Sequence, residues 1–173
     1  TLTALQLDGC LESESQAMEI VCSIAYNNSL RSLSLAKCPI GFATSRRLFS
    51  ILSENTVLTT LNLSGCLRTD DEAILLADCL KMNRTIVSIN LRACVFGDMG
   101  TSALALGLRV NNIVTTLRCD RALRSLLPFV HLNEKMTSVD TARSEALCVE
   151  ALFESVAIQK YGWIPRVLRL FPA

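Results

Sequence analysis

Apolar residues recur along this chain in a short phrase that returns every 28 residues. The phrase consists of an apolar residue, two others, a second apolar residue, one other, and a third apolar residue. A fixed period of this length is typical of a solenoid, in which each repeat packs only on its neighbours. The five copies are Leu2-Leu5-Leu7, Leu30-Leu33-Leu35, Leu58-Leu61-Leu63, Ile86-Ile89-Leu91 and Val114-Leu117-Cys119.

Each phrase predicts a short strand. Side chains alternate between the two faces of a strand, so Leu61 and Leu63 of the third copy are expected on one face. Thr60, Asn62 and Ser64 then lie on the opposite face. Identical phrases one period apart are expected to pair as neighbouring parallel strands, which require a long crossover connection.

The crossover of each repeat predicts a helix that runs from roughly 12 to 24 positions after the phrase begins. Within it, two apolar residues stand four positions apart, which places both on one helical face. Ser13 with Gln16, and Thr69 with Glu72, have the spacing of a capping box, and the other two copies have glycine at the capping position. The apolar pairs are Ile20 and Ile24, Leu48 and Leu52, Leu76 and Leu80, and Leu104 and Leu108.

A repeated strand, turn, helix and turn predicts an α/β horseshoe. Parallel strands line its concave face and helices its convex face, because helices are wider than strands. We interpret one cysteine per repeat as a ladder of reduced, buried side chains, and one asparagine per repeat as a partner of backbone groups in the turn from helix to strand. These residues are Cys10, Cys38, Cys66 and Cys94, and Asn27, Asn55, Asn83 and Asn111.

The repeated phrase resembles leucine-rich repeats of the ribonuclease-inhibitor-like class, which follow the pattern L-x-x-L-x-L-x-x-(N or C) and place a helix on the convex side. The matching segments are LTALQLDGC, LRSLSLAKC, LTTLNLSGC and IVSINLRAC, and the resemblance extends over at least residues 2 to 119. The class includes ribonuclease inhibitor, NLR immune receptors, RanGAP and tropomodulin. The resemblance implies a fold and a protein-binding mode, and no motif allows a member's functional residues to be carried over.

The period weakens toward the end of the chain. We expect residues 1–120 to form regular repeats, and residues 121–173 to form either two degenerate repeats or a separate cap on the same solenoid. A weakened phrase begins at Met136, which is 22 residues after Val114, and another begins at Ile164.

Three further features of this region bear on that expectation. Pro128 would damage a helix interior. Residues 144–160 have the broad apolar face of a helix, and Trp163 either covers the end of the core or contacts a partner or a membrane. Because the chain opens within a repeat phrase and without methionine, we expect it to be a fragment of a longer protein.

Composition narrows the classes of function. Half of the residues are apolar, yet no run reaches the roughly 18 uncharged apolar residues of a spanning helix, so we expect no membrane span. A net charge of +1 without a basic tail predicts no nucleic-acid partner. Reduced cysteines, one per repeat, argue against a zinc site and favour a reducing, cytoplasmic location.

No catalytic residue is expected. His131 is the only histidine and has no nucleophile motif beside it. Phosphate-binding, dinucleotide-binding and metalloprotease motifs are absent from the sequence, so we expect no cofactor, no metal and no enzyme activity. The acidic run Asp70, Asp71 and Glu72 stands at a predicted helix start, where it complements the helix dipole.

The exposed strand positions are the candidate binding residues. We expect a rigid concave surface that binds a protein partner through many modest contacts, with the most selective contact at Arg92 and Arg118, because arginine is enriched at interface hot spots. Two alternatives are a GTPase activator similar to RanGAP, whose acidic tail this sequence lacks, and a fixed subunit of a large cytoskeletal or ciliary assembly. The candidate residues are Gln6, Asp8, Ser34, Asn62, Ser64, Asn90, Arg92, Arg118, Asp120 and Asp140.

Overall fold

Strands and helices alternate along the described part of the chain. The computed structural model describes residues 2–120, 123 and 126–130. Each strand pairs in parallel with the next, so the order in space follows the order in sequence, and the predicted α/β solenoid is confirmed. The elements are β1 Ala4–Gln6, α1 Glu14–Ile24, β2 Ser32–Ser34, α2 Phe42–Glu54, β3 Thr60–Asn62, α3 Asp70–Met82, β4 Ser88–Asn90, α4 Asp98–Val110 and β5 Thr116–Arg118.

The strands pair in the register that the sequence period predicts. Leu33 lies opposite Leu61, and Leu61 lies opposite Ile89, so equivalent residues of successive repeats are partners. These central residues are buried against the helices, whereas the residues on either side of them are half-buried. Neighbouring strands lie about 4.8 Å apart, whereas the axes of packed helices lie about 10 Å apart. Because the helices need more width per repeat, the array curves with the sheet on its concave side.

The helices begin at the predicted positions, and α1 ends two residues before its predicted end. The two capping boxes differ. Thr69 and Glu72 form a complete box, in which each side chain accepts a hydrogen bond from the other residue's backbone amide. Ser13 accepts from the Gln16 amide, but the Gln16 side chain accepts from the amide of Glu12 instead of Ser13, so this box is incomplete.

Where glycine begins a helix, the preceding repeat provides the nearby carboxylate. Asp70 Oδ1 accepts a hydrogen bond of 2.6 Å from the Gly97 amide at the start of α4. Glu14 Oε1 accepts a bond of 3.1 Å from the Thr44 hydroxyl in the first turn of α2. Negative charge is favourable at a helix N-terminus, so an acidic residue in the first turn of one helix also stabilises the start of the next.

The repeated asparagines hold the turn from helix to strand and join neighbouring repeats. Asn83 Oδ1 accepts hydrogen bonds from the amides of Thr85 and Ile86, at 3.0 and 2.8 Å. Its Nδ2 donates to the carbonyls of Leu52 and Asn55 in the preceding repeat, at 2.6 and 3.2 Å. The prediction that these asparagines bind backbone groups in the turn from helix to strand is confirmed. The equivalent pairs of amide bonds are accepted by Asn27, Asn55 and Asn111.

The repeated cysteines follow the strands, whereas the repeated asparagines precede them, and the cysteines also form a ladder of bonds between repeats. The thiols of Cys38, Cys66 and Cys94 each donate to a carbonyl of the preceding repeat, with Sγ–O distances of 3.0, 2.9 and 3.2 Å. Burial raises the pKa of the Cys66 thiol to about 12, so this group keeps its proton and remains a donor at neutral pH. The prediction of burial is wrong for Cys10, which is exposed because no described repeat lies before it.

Packing is also looser elsewhere in the first repeat. Leu5 and Leu7 are only partly buried, whereas Leu33, the equivalent of Leu5, is fully buried. Leu2, the first residue of the first phrase, is 57% exposed. Ile20, expected on the buried face of α1, is likewise only partly buried. Burial in this array requires a neighbouring repeat on both sides, and the first repeat has one described neighbour.

The chain leads into another helical turn after β5. Leu123 and Leu126 are buried, and a helical turn spans residues 127–130, one position later than the helices of the preceding repeats begin. Pro128 lies in the first turn of this helix, where its missing amide hydrogen would have no intrahelical partner. It is therefore compatible with the helix start, and does not interrupt a helix interior as the sequence suggested.

Several expectations fall outside the described residues. These are the weakened phrases that begin at Met136 and Ile164, the helix over residues 144–160, and the positions of His131 and Trp163. The division of the chain at residue 120 stays a prediction.

The turns that follow β1, β2, β3 and β4 each contain a residue with left-handed backbone. Gly9 and Gly65 have φ of 64° and 72°, and in the other two repeats Lys37 and Ala93 have φ of 59° and 55°. A left-handed conformation costs a non-glycine residue about 1 to 2 kcal/mol. The amide of Lys37 donates a 2.8 Å hydrogen bond to the carbonyl of Ser64, so a strained turn is held by pairing between repeats.

We expect the substitution Ala93→Gly to stabilise the fold by about 0.5 to 1 kcal/mol, because relief of strain exceeds the extra chain entropy that glycine loses on folding. Gly65→Ala should destabilise it by about 1 kcal/mol. A β-carbon at Gly65 would have no neighbour closer than 3.6 Å, so the loss would come from the backbone alone. Urea unfolding of both variants measures the two changes, and equal stability of both with the parent chain would contradict this reading.

Helices α3 and α4 approach each other closely at Gly107, which lies in α4. A β-carbon at Gly107 would lie 2.8 Å from the carbonyl oxygen of Ala77 and 3.0 Å from its Cα. Both atoms belong to the α3 backbone, which cannot yield by a change of rotamer. Gly107 therefore sets the distance between the two helices.

Gly107→Ala should destabilise the fold by about 1 to 3 kcal/mol, because the clash outweighs the approximately 1 kcal/mol by which alanine favours a helix interior over glycine. Ser102→Ala, at an exposed position of α4, is the matched control and should change stability by less than about 0.5 kcal/mol. Thermal unfolding of the two variants tests the difference. A stabilised Gly107→Ala variant would show that helix propensity dominates at this position.

Candidate functional site

The sheet face turned away from the helices carries one polar residue at the end of each strand. Strand pairing places these residues side by side, and we call them the concave row. With strands about 4.8 Å apart, the row extends for about 19 Å across the sheet. It consists of Gln6, Ser34, Asn62, Asn90 and Arg118. A second series, the turn row, stands two positions later and consists of Asp8, Ala36, Ser64, Arg92 and Asp120.

In the first three repeats these side chains bond to one another. Gln6 Nε2 donates to Asp8 Oδ2 at 2.8 Å, and the Ser34 hydroxyl donates to Asp8 Oδ1. Asn62 Nδ2 donates to the Ser34 hydroxyl oxygen at 2.7 Å. The backbone amide of Ala36 also donates to Asp8 Oδ1, at 3.1 Å. This part of the surface is therefore a continuous network in which both carboxylate oxygens of Asp8 already have donors.

The network changes the acidity of Asp8. Partial burial raises its pKa, but the hydrogen bonds from Ser34, Gln6 and the Ala36 amide, together with the positive charge of Lys37, lower it by more. The pKa of Asp8 is therefore below its ordinary value. The carboxylate is ionised at neutral pH, and its negative charge is held by neighbours on two strands.

The two asparagines of the concave row support the turn that follows them. Asn62 Oδ1 accepts from the Ser64 amide at 3.1 Å, and Asn90 Oδ1 accepts from the Arg92 amide at 3.1 Å. Their side-chain amide nitrogens differ. Asn62 donates to the Ser34 hydroxyl, whereas Asn90 Nδ2 has no acceptor within the described residues, because the neighbouring row position is another asparagine.

The fourth and fifth repeats present cationic groups that have no partner within the described residues. Arg92 and Arg118 are exposed, and no group in the described part of the chain accepts a hydrogen bond from either guanidinium or forms an ion pair with it. Asp120 is the nearby acid of the turn row, and its Oδ2 accepts a 2.6 Å hydrogen bond from the Ala93 amide. The concave face thus has a satisfied network at one end and free hydrogen-bond donors at the other.

Nine of the ten residues predicted to bind a partner lie on this face or in the turns beside it. Asp140, the tenth, lies outside the described residues. Their part in binding stays a prediction. The candidate list omitted the first residue of each strand, which shares the concave face because side chains alternate with a period of two, as the sequence predicts for Thr60. These residues are Ala4, Ser32, Thr60, Ser88 and Thr116.

Two kinds of functional feature do not occur among the described residues. No group of three or more histidine, cysteine, aspartate or glutamate side chains among them is placed to hold a metal ion. No helix among them is long and apolar enough to cross a membrane.

The substitution Ser34→Ala should raise the pKa of Asp8 measured by NMR titration of the carboxyl carbon, because it removes a donor to the ionised form. Ser32→Ala on the same strand is the control and should leave the titration unchanged. A group with a lowered pKa in the folded state contributes stability above its unfolded value near ~3.9, and loses it as pH falls through the folded pKa. In Ser34→Ala the contribution should therefore be smaller, and its loss, which begins near the unfolded pKa in both chains, should be complete at a higher pH. Identical Asp8 titrations in all three proteins would contradict the assigned network.

Comparisons with known proteins agree with this architecture. The sequence model of a family described as Leucine Rich repeat matches residues 26–41 and 54–66. No curated protein sequence matches the chain significantly. Among solved structures, leiomodin-1 actin-binding site 2 is similar with a TM-score of 0.63 and 13% identity, over 96% of this chain and 86% of that one. The C-terminal domain of tropomodulin from Caenorhabditis elegans is similar with a TM-score of 0.63 and 15% identity, over 94% of this chain and 90% of that one.

At these identities the structural similarity speaks for the fold alone. The matched family segments contain β2 and β3 with the turns that follow them, which is where the repeated phrase lies. Together with the parallel pairing at a 28-residue step and the helix in each crossover, they show a leucine-rich repeat fold, with the helix-bearing repeats that the ribonuclease-inhibitor-like class has.

Proposed function

We propose that this chain is a non-enzymatic scaffold that binds a protein partner through the concave face of its sheet. The observation that carries the proposal is the concave row, which continues across five paired strands backed by a buried apolar core. A surface about 19 Å across, built on strands, can contact an extended protein segment along its whole length. Nothing in this arrangement requires catalysis by the chain itself.

Preorganisation supports the same proposal. The bonds among Gln6, Asp8, Ser34 and Asn62 fix these side chains before a partner arrives. Binding to side chains that are already ordered loses less conformational entropy than binding to mobile ones. The network therefore favours recognition by shape in the first three repeats, and leaves directional polar contacts to the repeats that follow.

The similar structures are consistent with a protein partner. The leiomodin-1 structure is described as an actin-binding site, so this fold serves protein binding in at least that case. Because the similarity is one of fold, we take from it the class of partner and not its identity. The buried, free thiols of Cys38, Cys66 and Cys94 favour a reducing compartment such as the cytoplasm.

A second candidate is a fixed subunit of a larger assembly, in which the partner covers apolar surface outside the concave face. The outer side of α4 carries large apolar side chains, with Met99, Leu106 and Val110 exposed by 71%, 52% and 58%. Clusters of exposed apolar residues mark interaction sites when they are contiguous. Such a subunit would keep its partners when the concave arginines are changed, so one experiment separates the two candidates.

We expect the double substitution Arg92→Glu and Arg118→Glu to weaken partner binding by at least about tenfold, because hot-spot arginines contribute about 2 kcal/mol or more. Affinity capture followed by quantitative mass spectrometry measures the loss. Arg46→Glu with Arg47→Glu is the matched control, since it makes the same charge change on exposed positions of α2. Equal recovery of all partners by both double variants would contradict binding at the concave face and favour the assembly subunit.

A further inference from the structure

We propose that the concave face recognises an acidic segment of its partner, whose carboxylates are held by Asn90, Arg92 and Arg118. This proposal rests on the proposed function, because it names the chemistry of the partner for the same surface. We call the three side chains the donor cluster. The observation that motivates it is the separation of bonded and unbonded polar groups along the sheet.

The strand register brings the donor cluster together. Asn90 and Arg118 are Cα partners on β4 and β5, and Arg92 follows Asn90 by two residues, in the turn after β4. Neighbouring strands are about 4.8 Å apart, and alternate residues of an extended chain are about 6.6 Å apart. The three side chains therefore project from neighbouring positions on one face. The two arginines are close enough to share one carboxylate, or to hold two carboxylates at alternate positions of an extended peptide.

The cluster offers hydrogen-bond donors without acceptors of its own. Each guanidinium has five N–H groups and cannot accept a hydrogen bond. The Asn90 oxygen is already used by the Arg92 amide, which leaves only its NH₂ group free. A carboxylate accepts several hydrogen bonds at once and matches the planar fork of arginine. The donor set therefore selects an anion, and carboxylates are the anionic groups of unmodified protein segments.

Charge favours the same ligand. Arg92 and Arg118 repel each other. The nearby acid Asp120 accepts a hydrogen bond from the Ala93 amide and forms no ion pair with either arginine. An incoming carboxylate would relieve this repulsion. The opposite ligand is disfavoured, because Asp8, the acid of the concave network, already accepts bonds from Gln6, Ser34 and the Ala36 amide. A basic segment would find the acceptors at that end occupied.

The proposal is tested by titrating the ¹⁵N-labelled chain with hexaglutamate and, separately, with hexalysine at low ionic strength. We expect hexaglutamate to shift the side-chain signals of Arg92, Arg118 and Asn90, and this binding should weaken as salt is added. Hexalysine should leave these signals unchanged. Arg92→Gln with Arg118→Gln should reduce hexaglutamate affinity by about tenfold or more, while Arg46→Gln with Arg47→Gln should not.

Each contrary result is distinct. Equal shifts with both peptides, or hexaglutamate shifts confined to the convex helices, would overturn the proposed preference for an acidic segment. Neither result would bear on the scaffold function, which the affinity-capture experiment tests separately. An equal loss in both glutamine variants would also overturn it, because the binding would then be nonspecific charge attraction. Backbone amide spectra show whether each variant is folded. If the Arg92→Gln and Arg118→Gln chain does not fold, the location of the shifts in the parent chain decides alone.

Discussion

The structure depends on the pairing of each repeat with the next through polar groups that only an exact 28-residue step brings together. The parallel strands that pair between repeats are only three residues long. On either side of them, the Cys66 thiol binds the Leu35 carbonyl and the Asn83 amide binds the Leu52 carbonyl of the preceding repeat. These are buried bonds, and a buried carbonyl left without a donor costs about 1 to 3 kcal/mol. A shift of one residue would lose both bonds and turn the leucines of the strand to the opposite face.

This constraint explains how far the sequence could predict the structure. Strands, helices and the two ladders were predictable, because four copies in one register show which residues serve the scaffold. Cys10 and Ile20 have the repeated residue type but lack the repeated burial, since burial depends on a second neighbour that no local pattern encodes. The bond between Asp70 and the Gly97 amide was missed for a related reason, because it exists only when two repeats are stacked.

The candidate site shows the same limit. Its positions could be predicted, because strand alternation assigns Ser34, Asn62 and Asn90 to one face. Which of its side chains are hydrogen-bonded to one another and which are free could not be predicted, because the bonding depends on the side chain at the same position of the neighbouring strand. Asn62 finds a hydroxyl beside it and donates to it, whereas Asn90 finds a second amide whose oxygen already binds the turn. The same residue type therefore uses both its oxygen and its nitrogen within the scaffold in one repeat, and only its oxygen in the next.

Stability is distributed so that the available groups stand on the better-packed part of the array. In a solenoid each repeat is stabilised by its own contacts and by those of its nearest neighbours, so repeats with fewer contacts open first. The first repeat, with Leu2 and Cys10 exposed, belongs to this looser class. Arg92 and Asn90 belong to the fourth repeat, whose helix lies against α3 at the distance set by Gly107. Local opening of the first repeat would therefore leave the proposed donor cluster in place, since none of its three residues belongs to that repeat.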